Sequence, residues 1–332
     1  MGSPASQLMN LVSLRRSLLY SALRRLSSNS NAVATSSDSF PPTSFTPPSE
    51  TAEKKDDRIY VKRPNSSSSS SSVTRDEVSV TMPMTLMTGS VVGKRFYKEV
   101  TTRMADDGNG WTVMLDYRTL KTPSKRPLKL PNPALAKAIA AEWEYQQIDG
   151  IRPFTMPLMK LACTALERVP LTRVKIIKNL IDKFHQDLVF CRSPGDTDLT
   201  KGVREKQEEK IDPLIEWLQS EFGFKPKVHS TLFGCKQDDN FVNAVENVLQ
   251  KTTDCELAAI DAIAASAHSL IIALAIFRER LNIEETMELI RLEEDLQVNK
   301  WGLVEGGHDV DIADLQVQIS SAVVFLRMSF RQ

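Results

Sequence analysis

The stretch ELAAIDAIAASAHSLIIALAIFRERL, which runs from Glu256 to Leu281, is the longest apolar segment of the chain. Apolar side chains occupy most faces of a helix drawn through it, and such a helix is buried at the centre of a bundle or spans a membrane. Its most apolar part, Leu270 to Phe277, is bounded by His268 and Arg278 and is too short to cross a bilayer. The stretch therefore predicts a helical domain with this helix at its centre and no membrane span.

Further helices are predicted on both sides of this stretch from capping residues and apolar spacing. Asn132 followed by Pro133 is typical of a helix start, and Asn282 with Glu285 has the capping-box pattern. These signals give a helical domain over residues 132–332. Its predicted helices are 132–150 with an apolar stripe of Leu135, Ile139, Trp143 and Tyr145, then 157–169, a helix capped by Thr172, 204–210, 213–223, 240–250, a helix from Asn282, and 309–327.

A small β domain is predicted over residues 91–131. Lys94 to Val100 is strand-like, Asp106 to Gly110 is a turn, and Trp111 to Asp116 alternates with Trp111, Val113 and Leu115 on one face. Short further strands are predicted at 120–122 and 128–130. A unit of about 40 residues is too small to be stable alone, so it is expected to pack on the helices. The fold class is therefore α+β, a small antiparallel β domain followed by a larger helical-bundle domain.

The start of the chain differs in composition from the rest. Residues 1–37 contain Arg15, Arg16, Arg24 and Arg25 and no acidic residue, and they mix Leu, Ser and Arg. This composition is typical of an organelle transit peptide, which we assign to residues 1–30, with the mitochondrion as the first destination and the plastid as the second. Residues 31–90 are rich in Ser and Pro, including an unbroken serine run from Ser66 to Ser72, and predict a disordered segment.

Charge and cysteine usage exclude two classes of function. The chain has 42 basic and 42 acidic residues. Since the first 37 residues hold four arginines and no acid, the remainder is slightly acidic, which argues against nucleic-acid binding. Cys163, Cys191, Cys235 and Cys255 are widely scattered without a C-x-x-C pair, so a zinc site is not predicted.

The segment Trp301 to Asp309, which follows the acidic run Glu293, Glu294 and Asp295, is the candidate functional site. Glu305 and His308 have the three-residue spacing found in carboxylate-bridged metal sites, but such sites need a second Glu-x-x-His, and none of the four histidines provides one. We expect Trp301 to pack inward and Asp309 to begin the last helix, where an anion is favoured. Glu305 is interpreted equally well as a solvated loop acid or as a contact to a partner.

Other catalytic arrangements are missing from the sequence. There is no Gly-x-Ser-x-Gly elbow and no Gly-x-x-x-x-Gly-Lys-Ser/Thr loop, so neither serine hydrolysis nor nucleotide hydrolysis by a P-loop is predicted. Phe96 and Tyr97 are adjacent in a predicted strand, so one side chain should face the core while the other is free for recognition. The candidate partner contacts are Glu293, Glu294, Asp295, Glu305, His308, Asp309, Phe96 and Tyr97.

Several motifs follow one another in order along residues 93 to 325. They are GKRFYK from Gly93, LDYRTLKTP from Leu115, AEWEYQ from Ala141, MPL from Met156, DPLIEW from Asp212, RLEED from Arg291 and the Trp301 to Asp309 segment. Together these motifs resemble the ATP12 family of mitochondrial assembly chaperones. The chain departs from the family in the Ser/Pro-rich extension before Val91 and in Gly306-Gly307, where bulkier residues are expected.

The resemblance implies a small β domain followed by a helical domain. It also implies a function without catalytic turnover, cofactor or metal: a monomer in the mitochondrial matrix that binds the unassembled α subunit of F1 ATP synthase until the α3β3 hexamer forms. Two alternatives remain open. One is a metal-dependent hydrolase using Glu305, His308 and Asp309, and the other is a general holdase for aggregating proteins.

Overall fold

The longest apolar stretch of the chain forms two helices instead of one. The computed structural model describes residues 60–61, 79–82, 87, 93–231, 235–302 and 308–330. In it the stretch breaks at His268, which has a left-handed backbone with φ of 52°. The hydroxyl oxygen of Ser269 then accepts a hydrogen bond from the Ile272 N–H at 3.0 Å and caps the second helix. The prediction of a single helix is wrong because this cap interrupts it.

The helices follow one another from residue 133 to residue 329 of the described chain. The predicted starts at Asn132, Pro157 and Asn282 are confirmed, the last with its capping box to Glu285, as is the end at Gly223. The first helix ends at Glu144 and not at residue 150 as predicted. The bounds of the helices are α1 Pro133–Glu144, α2 Pro157–Cys163, α3 Val169–Phe184, α4 Asp198–Phe222, α5 Asp239–Gln250, α6 Asp254–Ala267, α7 Leu270–Phe277, α8 Ile283–Trp301 and α9 His308–Ser329, with short 3-10 turns at Pro153–Thr155 and Leu188–Phe190.

The chain stays helical between α2 and α3 through a π turn at Thr164–Arg168. Pro170 has no N–H to donate to the carbonyl of Leu166 four residues earlier, and that carbonyl instead accepts a hydrogen bond from the Arg126 guanidinium at 3.0 Å. The prediction of a new helix capped by Thr172 is therefore wrong, since the Thr172 hydroxyl donates to the Arg168 carbonyl inside a continuous helical run.

Helix α4 also joins two segments that the sequence predicts as separate helices. Pro213 lies inside it, yet Ile211, Leu214 and Leu218 are buried at helical spacing on both sides of the proline. The burial of this apolar face offsets the hydrogen bond that proline removes. The predicted boundary before Pro213 is therefore wrong.

Within the described residues, five strands form one mixed sheet in the order β1-β2-β5-β4-β3. The hairpin of β3 and β4 confirms the predicted turn, and Gly110 in that turn lies so close to the Leu130 carbonyl oxygen that a Cβ would stand 2.7 Å from it. The predicted strand at 128–130 makes only isolated bridges. The strands are β1 Tyr60–Val61, β2 Ser79–Thr81, β3 Val100–Met104, β4 Trp111–Leu115 and β5 Arg118–Lys121.

Strands β1 and β2 correct the prediction that residues 31–90 contribute no ordered structure. β2 pairs with β5 in parallel, so the sheet is mixed and not antiparallel throughout. Val80 and Met82 are buried in the core, and the Met82 N–H donates to the Lys121 carbonyl at 3.2 Å. Two apolar side chains within a polar segment are thus enough to add a strand when an open sheet edge and a core are available.

The sheet and the helices share one hydrophobic core. Val113 and Leu120 of the sheet belong to the same buried cluster as Leu135 and Trp143 of α1 and Ile263 of α6. The small sheet therefore packs on the helices as its size requires, and the domain boundary at residue 131 stays a prediction. Among the described residues, none of the helices combines the length and apolarity that crossing a bilayer requires.

Candidate functional site

The acidic run on α8 is held by internal partners. Arg291 is buried, and its guanidinium donates to Glu294 at 3.1 Å and to Asp295 at 2.6 Å. Glu293 accepts a hydrogen bond from the buried side-chain amide of Gln207 at 2.7 Å. All three acids are half-buried. The bond from Gln207 joins α8 to α4, whereas the bonds from Arg291 lie within α8. Buried donors therefore take up part of the acceptor capacity of all three acids.

Two of the remaining candidates, His308 and Asp309, lie at the start of α9. Asp309 is exposed in the first helical turn, where the unpaired N–H groups favour an anion. His308 is the first residue of α9, whereas Glu305 lies outside the described residues. Within the described residues, no group of three or more His, Cys, Asp and Glu side chains is placed to hold a metal ion.

Trp301 and the aromatic pair of the β region are placed differently from expectation. Trp301 is 44% exposed, with the Lys300 ammonium 5.6 Å from its ring centre, so it does not pack inward. Residues 94–99 precede β3 and are not a strand. Tyr97 is buried and its hydroxyl donates to the Trp143 carbonyl at 2.7 Å, while Phe96 is half-buried against the core. Tyr97 therefore serves the core and is not available to a partner.

A surface that the sequence did not single out lies at the connection between α1 and α2, residues 145–156. Tyr145 is 86% exposed, Ile148 81% and Phe154 60%. Tyr145 was predicted to extend the buried stripe of α1, but it is the C-cap residue of the helix and points to solvent. Three large apolar side chains within ten residues are more than the scattered exposure that is normal for a surface.

The same connection borders an open cleft of about 400 Å³. One wall is the α1 face of Ala138, Ala141, Glu142 and Tyr145, and residues of the connection form the other wall. The cleft thus combines apolar surface with a carboxyl group.

Glu142 is the carboxyl group that lines this cleft. One carboxylate oxygen accepts the Leu158 N–H at 2.7 Å and the other accepts the Met159 N–H at 2.8 Å. These are among the first N–H groups of α2, which no intrahelical carbonyl can satisfy. Burial outweighs these two hydrogen bonds and raises the pKa of Glu142 to about 7.

Gln146 fixes the shape of the connection. Its side-chain amide donates to the Glu142 carbonyl at 2.9 Å and to the Thr155 hydroxyl at 3.0 Å, and its side-chain oxygen accepts the Arg152 N–H at 2.7 Å. Because Gln146 is itself buried, these three bonds hold both ends of the connection in place. The exposed apolar residues are therefore presented on a defined backbone.

The fold and these surfaces define an α+β protein in which one connection carries three exposed apolar side chains and borders an open cleft. Such a surface is suited to binding another protein. The particular family follows from comparison with known proteins.

Residues 94–219 match the family described as ATP12 chaperone protein. The chain is 27% identical over 243 residues to the protein atp12, mitochondrial, of Schizosaccharomyces pombe. This alignment covers 70% of this chain and 82% of the relative. The chain is also 23% identical over 274 residues to the protein ATP12, mitochondrial, of Saccharomyces cerevisiae, covering 71% and 84%. The crystal structure of Atp12 from Paracoccus denitrificans superposes with a TM-score of 0.65 at 29% identity, covering 72% of this chain and 99% of that one. By sequence and by fold, the chain is thus similar to the ATP12 chaperone family.

Proposed function

We propose that this protein is an assembly chaperone of the mitochondrial matrix that binds the unassembled α subunit of F1 ATP synthase. It keeps the subunit from aggregating and releases it into the α3β3 hexamer, and it acts as a monomer without cofactor or turnover. Three observations support this proposal. The chain matches the ATP12 family, its relatives are named as mitochondrial proteins, and its first residues contain arginines but no acid.

The observation that carries the proposal is the exposed apolar surface of Tyr145, Ile148 and Phe154 in a chain that is similar to a chaperone family. A subunit awaiting assembly exposes apolar surface that its partners will later cover, and a chaperone must cover that surface in the meantime. Release then follows by exchange, since the partner subunit of the hexamer competes for the same surface of the client.

Charged residues are proposed to assist capture. Asp309 is exposed and, with Glu305 and His308, remains a candidate contact, as does the half-buried Phe96. The acids Glu293, Glu294 and Asp295 contribute through the negative field of α8, because opposite charges across an interface speed association even where they add little affinity.

The test is capture of purified F1 α subunit as it is diluted from denaturant. The protein should keep the α subunit soluble at equimolar ratio, form a complex with it on size-exclusion chromatography, and release it when F1 β subunit is added. The proposal fails if the α subunit aggregates as fast with the protein as without it.

A general holdase is the second candidate, and the exposed apolar side chains are the observation that favours it. Reduced insulin, whose B chain aggregates, separates the two candidates in the same assay. Equal protection of insulin and the α subunit, with no release on addition of the β subunit, would replace the specific function with the general one.

A further inference from the structure

We propose that the cleft between α1 and the α1–α2 connection, lined by Ala138, Ala141, Glu142, Tyr145, Arg152 and Thr155, is the docking site for a client segment that carries a lysine or arginine beside apolar side chains. This inference rests on the proposed function and names the kind of client surface that the protein recognises.

The apolar part of the site has two components. Ala138 and Ala141 give the α1 wall a shallow surface that admits a side chain, and Tyr145, Ile148 and Phe154 stand exposed around the connection. A client that covers these three side chains removes their apolar surface from water, which favours binding.

The backbone of the site is already ordered before the client arrives. Gln146 joins α1 to the turn at Thr155 through side-chain hydrogen bonds at 2.9 and 3.0 Å. Because no further ordering of the connection is needed, less of the interaction free energy is lost on binding.

The charge of the site selects the client residue. Each carboxylate oxygen of Glu142 accepts one backbone N–H, and a carboxylate oxygen has room for a second donor. Arg152 also lines the cleft, but Asp149 pairs with its guanidinium at 3.4 Å. Glu142 forms no ion pair within the described residues, and burial raises its pKa to about 7. A lysine or arginine of the client lowers this pKa and favours the ionised form, so it complements the site.

The first experiment compares two pairs of exposed apolar residues. The cleft variant is Tyr145→Gln with Phe154→Gln, and the matched control is Leu171→Gln with Val174→Gln, which lie exposed on α3. With purified F1 α subunit as the probe, the cleft variant should raise the Kd about tenfold or more, equivalent to about 1.4 kcal/mol or more, while the control stays near wild type. Circular dichroism and the thermal midpoint confirm that both variants fold.

The second experiment tests the charge. Short overlapping peptides that cover the α subunit are presented to the wild-type protein, and those retained should carry Lys or Arg next to apolar residues. Replacing that lysine by the uncharged norleucine in the best peptide should weaken binding to wild type. Glu142→Gln should lose the preference for basic peptides while still binding apolar ones.

The outcomes separate this inference from the proposed function. If wild type, cleft variant and control all bind the α subunit equally, the docking site is wrong and the chaperone function stands. If wild type does not bind the α subunit, both proposals are overturned. Equal binding of the norleucine peptide removes the basic residue from the proposal. Dimerisation of wild type that is lost only in the cleft variant would assign the surface to a second copy of the chain.

Discussion

Two carboxylates, the half-buried Glu142 and the buried Asp187, each join the start of a helix to another part of the fold. Glu142 of α1 accepts the first N–H groups of α2. Asp187, which precedes a 3-10 turn, accepts the Ser269 hydroxyl at 2.6 Å and the Ile271 N–H at 3.1 Å where α7 begins. Burial raises the pKa of Glu142 to about 7 and that of Asp187 to about 6. Each side chain therefore links two parts of the folded chain, and its protonation affects the free energy of unfolding.

Glu142→Gln should remove a pH dependence from the folding free energy. Since the pKa of Glu142 lies above its ordinary value of 4.5, the folded protein binds the proton more tightly than the unfolded chain. The resulting stability is fully present below pH 4.5 and is lost as the pH rises through about 7. We expect the free energy of unfolding of wild type, relative to Glu142→Gln, to fall by about 3 kcal/mol across this range. Urea titrations from pH 4.5 to 7.5 measure it, and the contribution of Asp187 is common to both proteins. A constant difference would contradict the prediction.

Glu294→Lys should destabilise the fold, although the sequence alone suggests a free surface charge. The substitution places a second cation beside the buried guanidinium of Arg291, which now donates to Glu294 at 3.1 Å. Leaving a buried charge without its partner is costly, and because Asp295 still pairs with Arg291 we expect a loss of about 2 kcal/mol in the urea unfolding free energy. Asp309→Lys, on an exposed residue, should cost less than about 1 kcal/mol. Equal losses would show that Arg291 does not depend on Glu294.

At the scale of elements, nearby residues in the sequence predict where helices are capped. They do not predict where one helix continues into the next or where a helix breaks. Asn132, the Asn282 and Glu285 pair, and Gly223 satisfy backbone groups within a few residues, so their roles can be predicted from the sequence. The joints at Pro170 and at Ser269 depend on distant partners, since the Ser269 hydroxyl donates to Asp187. The Leu166 carbonyl that Pro170 leaves unpaired is satisfied by Arg126, forty residues away along the chain.

The candidate site can also be predicted only in part, because some of its contacts are local in sequence and others are not. The acidic run, the exposed Asp309 and the pairing of Glu294 with Arg291 one turn earlier can be read from local sequence. The partner of Glu293, by contrast, comes from another helix. The cleft at the α1–α2 connection is harder to predict, because Tyr145 continues the apolar stripe of α1 in sequence and leaves it only where the helix ends. A large apolar residue just past a helix end, followed by others in a connecting segment, is the signal that could have indicated it.

Strand β2 gives a prediction at the element scale. Val80 is fully buried under the sheet, while its neighbour Thr81 is half-buried. Val80→Ala removes two methyl groups from the core and should lower the free energy of unfolding by about 2 kcal/mol, whereas Thr81→Ala should cost less than half as much. Thermal and urea unfolding of the two variants check this. If both variants unfold like wild type, β2 does not contribute to the stability of the sheet.

The whole molecule joins a short sheet to a helical bundle through one core, with α1 in contact with both. The proposed docking cleft lies at the far end of α1, where the helix turns into the connection to α2. Leu135, Ile139 and Trp143 of α1 are buried in the core. The core therefore fixes the position of the helix that forms one wall of the cleft.

The proposed function requires the whole protein to reach the compartment where F1 assembles, and the arginines at its start are the proposed means. Arg15, Arg16, Arg24 and Arg25 lie in a stretch without acidic residues. Moving one positive charge into a compartment that is negative inside is favourable by about 2.3 kcal/mol for each 100 mV of membrane potential. The membrane potential therefore favours import of a segment that carries four arginines.

Replacing these four arginines with glutamine should therefore abolish import into isolated mitochondria, measured as the fraction of chain protected from added protease. Lys54→Gln with Lys55→Gln, beyond the acid-free stretch, is the control and should import like wild type. If import is lost while the variant still captures the α subunit in solution, the four arginines act in targeting and not in client binding. Undiminished import of the arginine variant would mean that another part of the chain carries the address, and the assignment of residues 1–30 as a transit peptide would then be wrong.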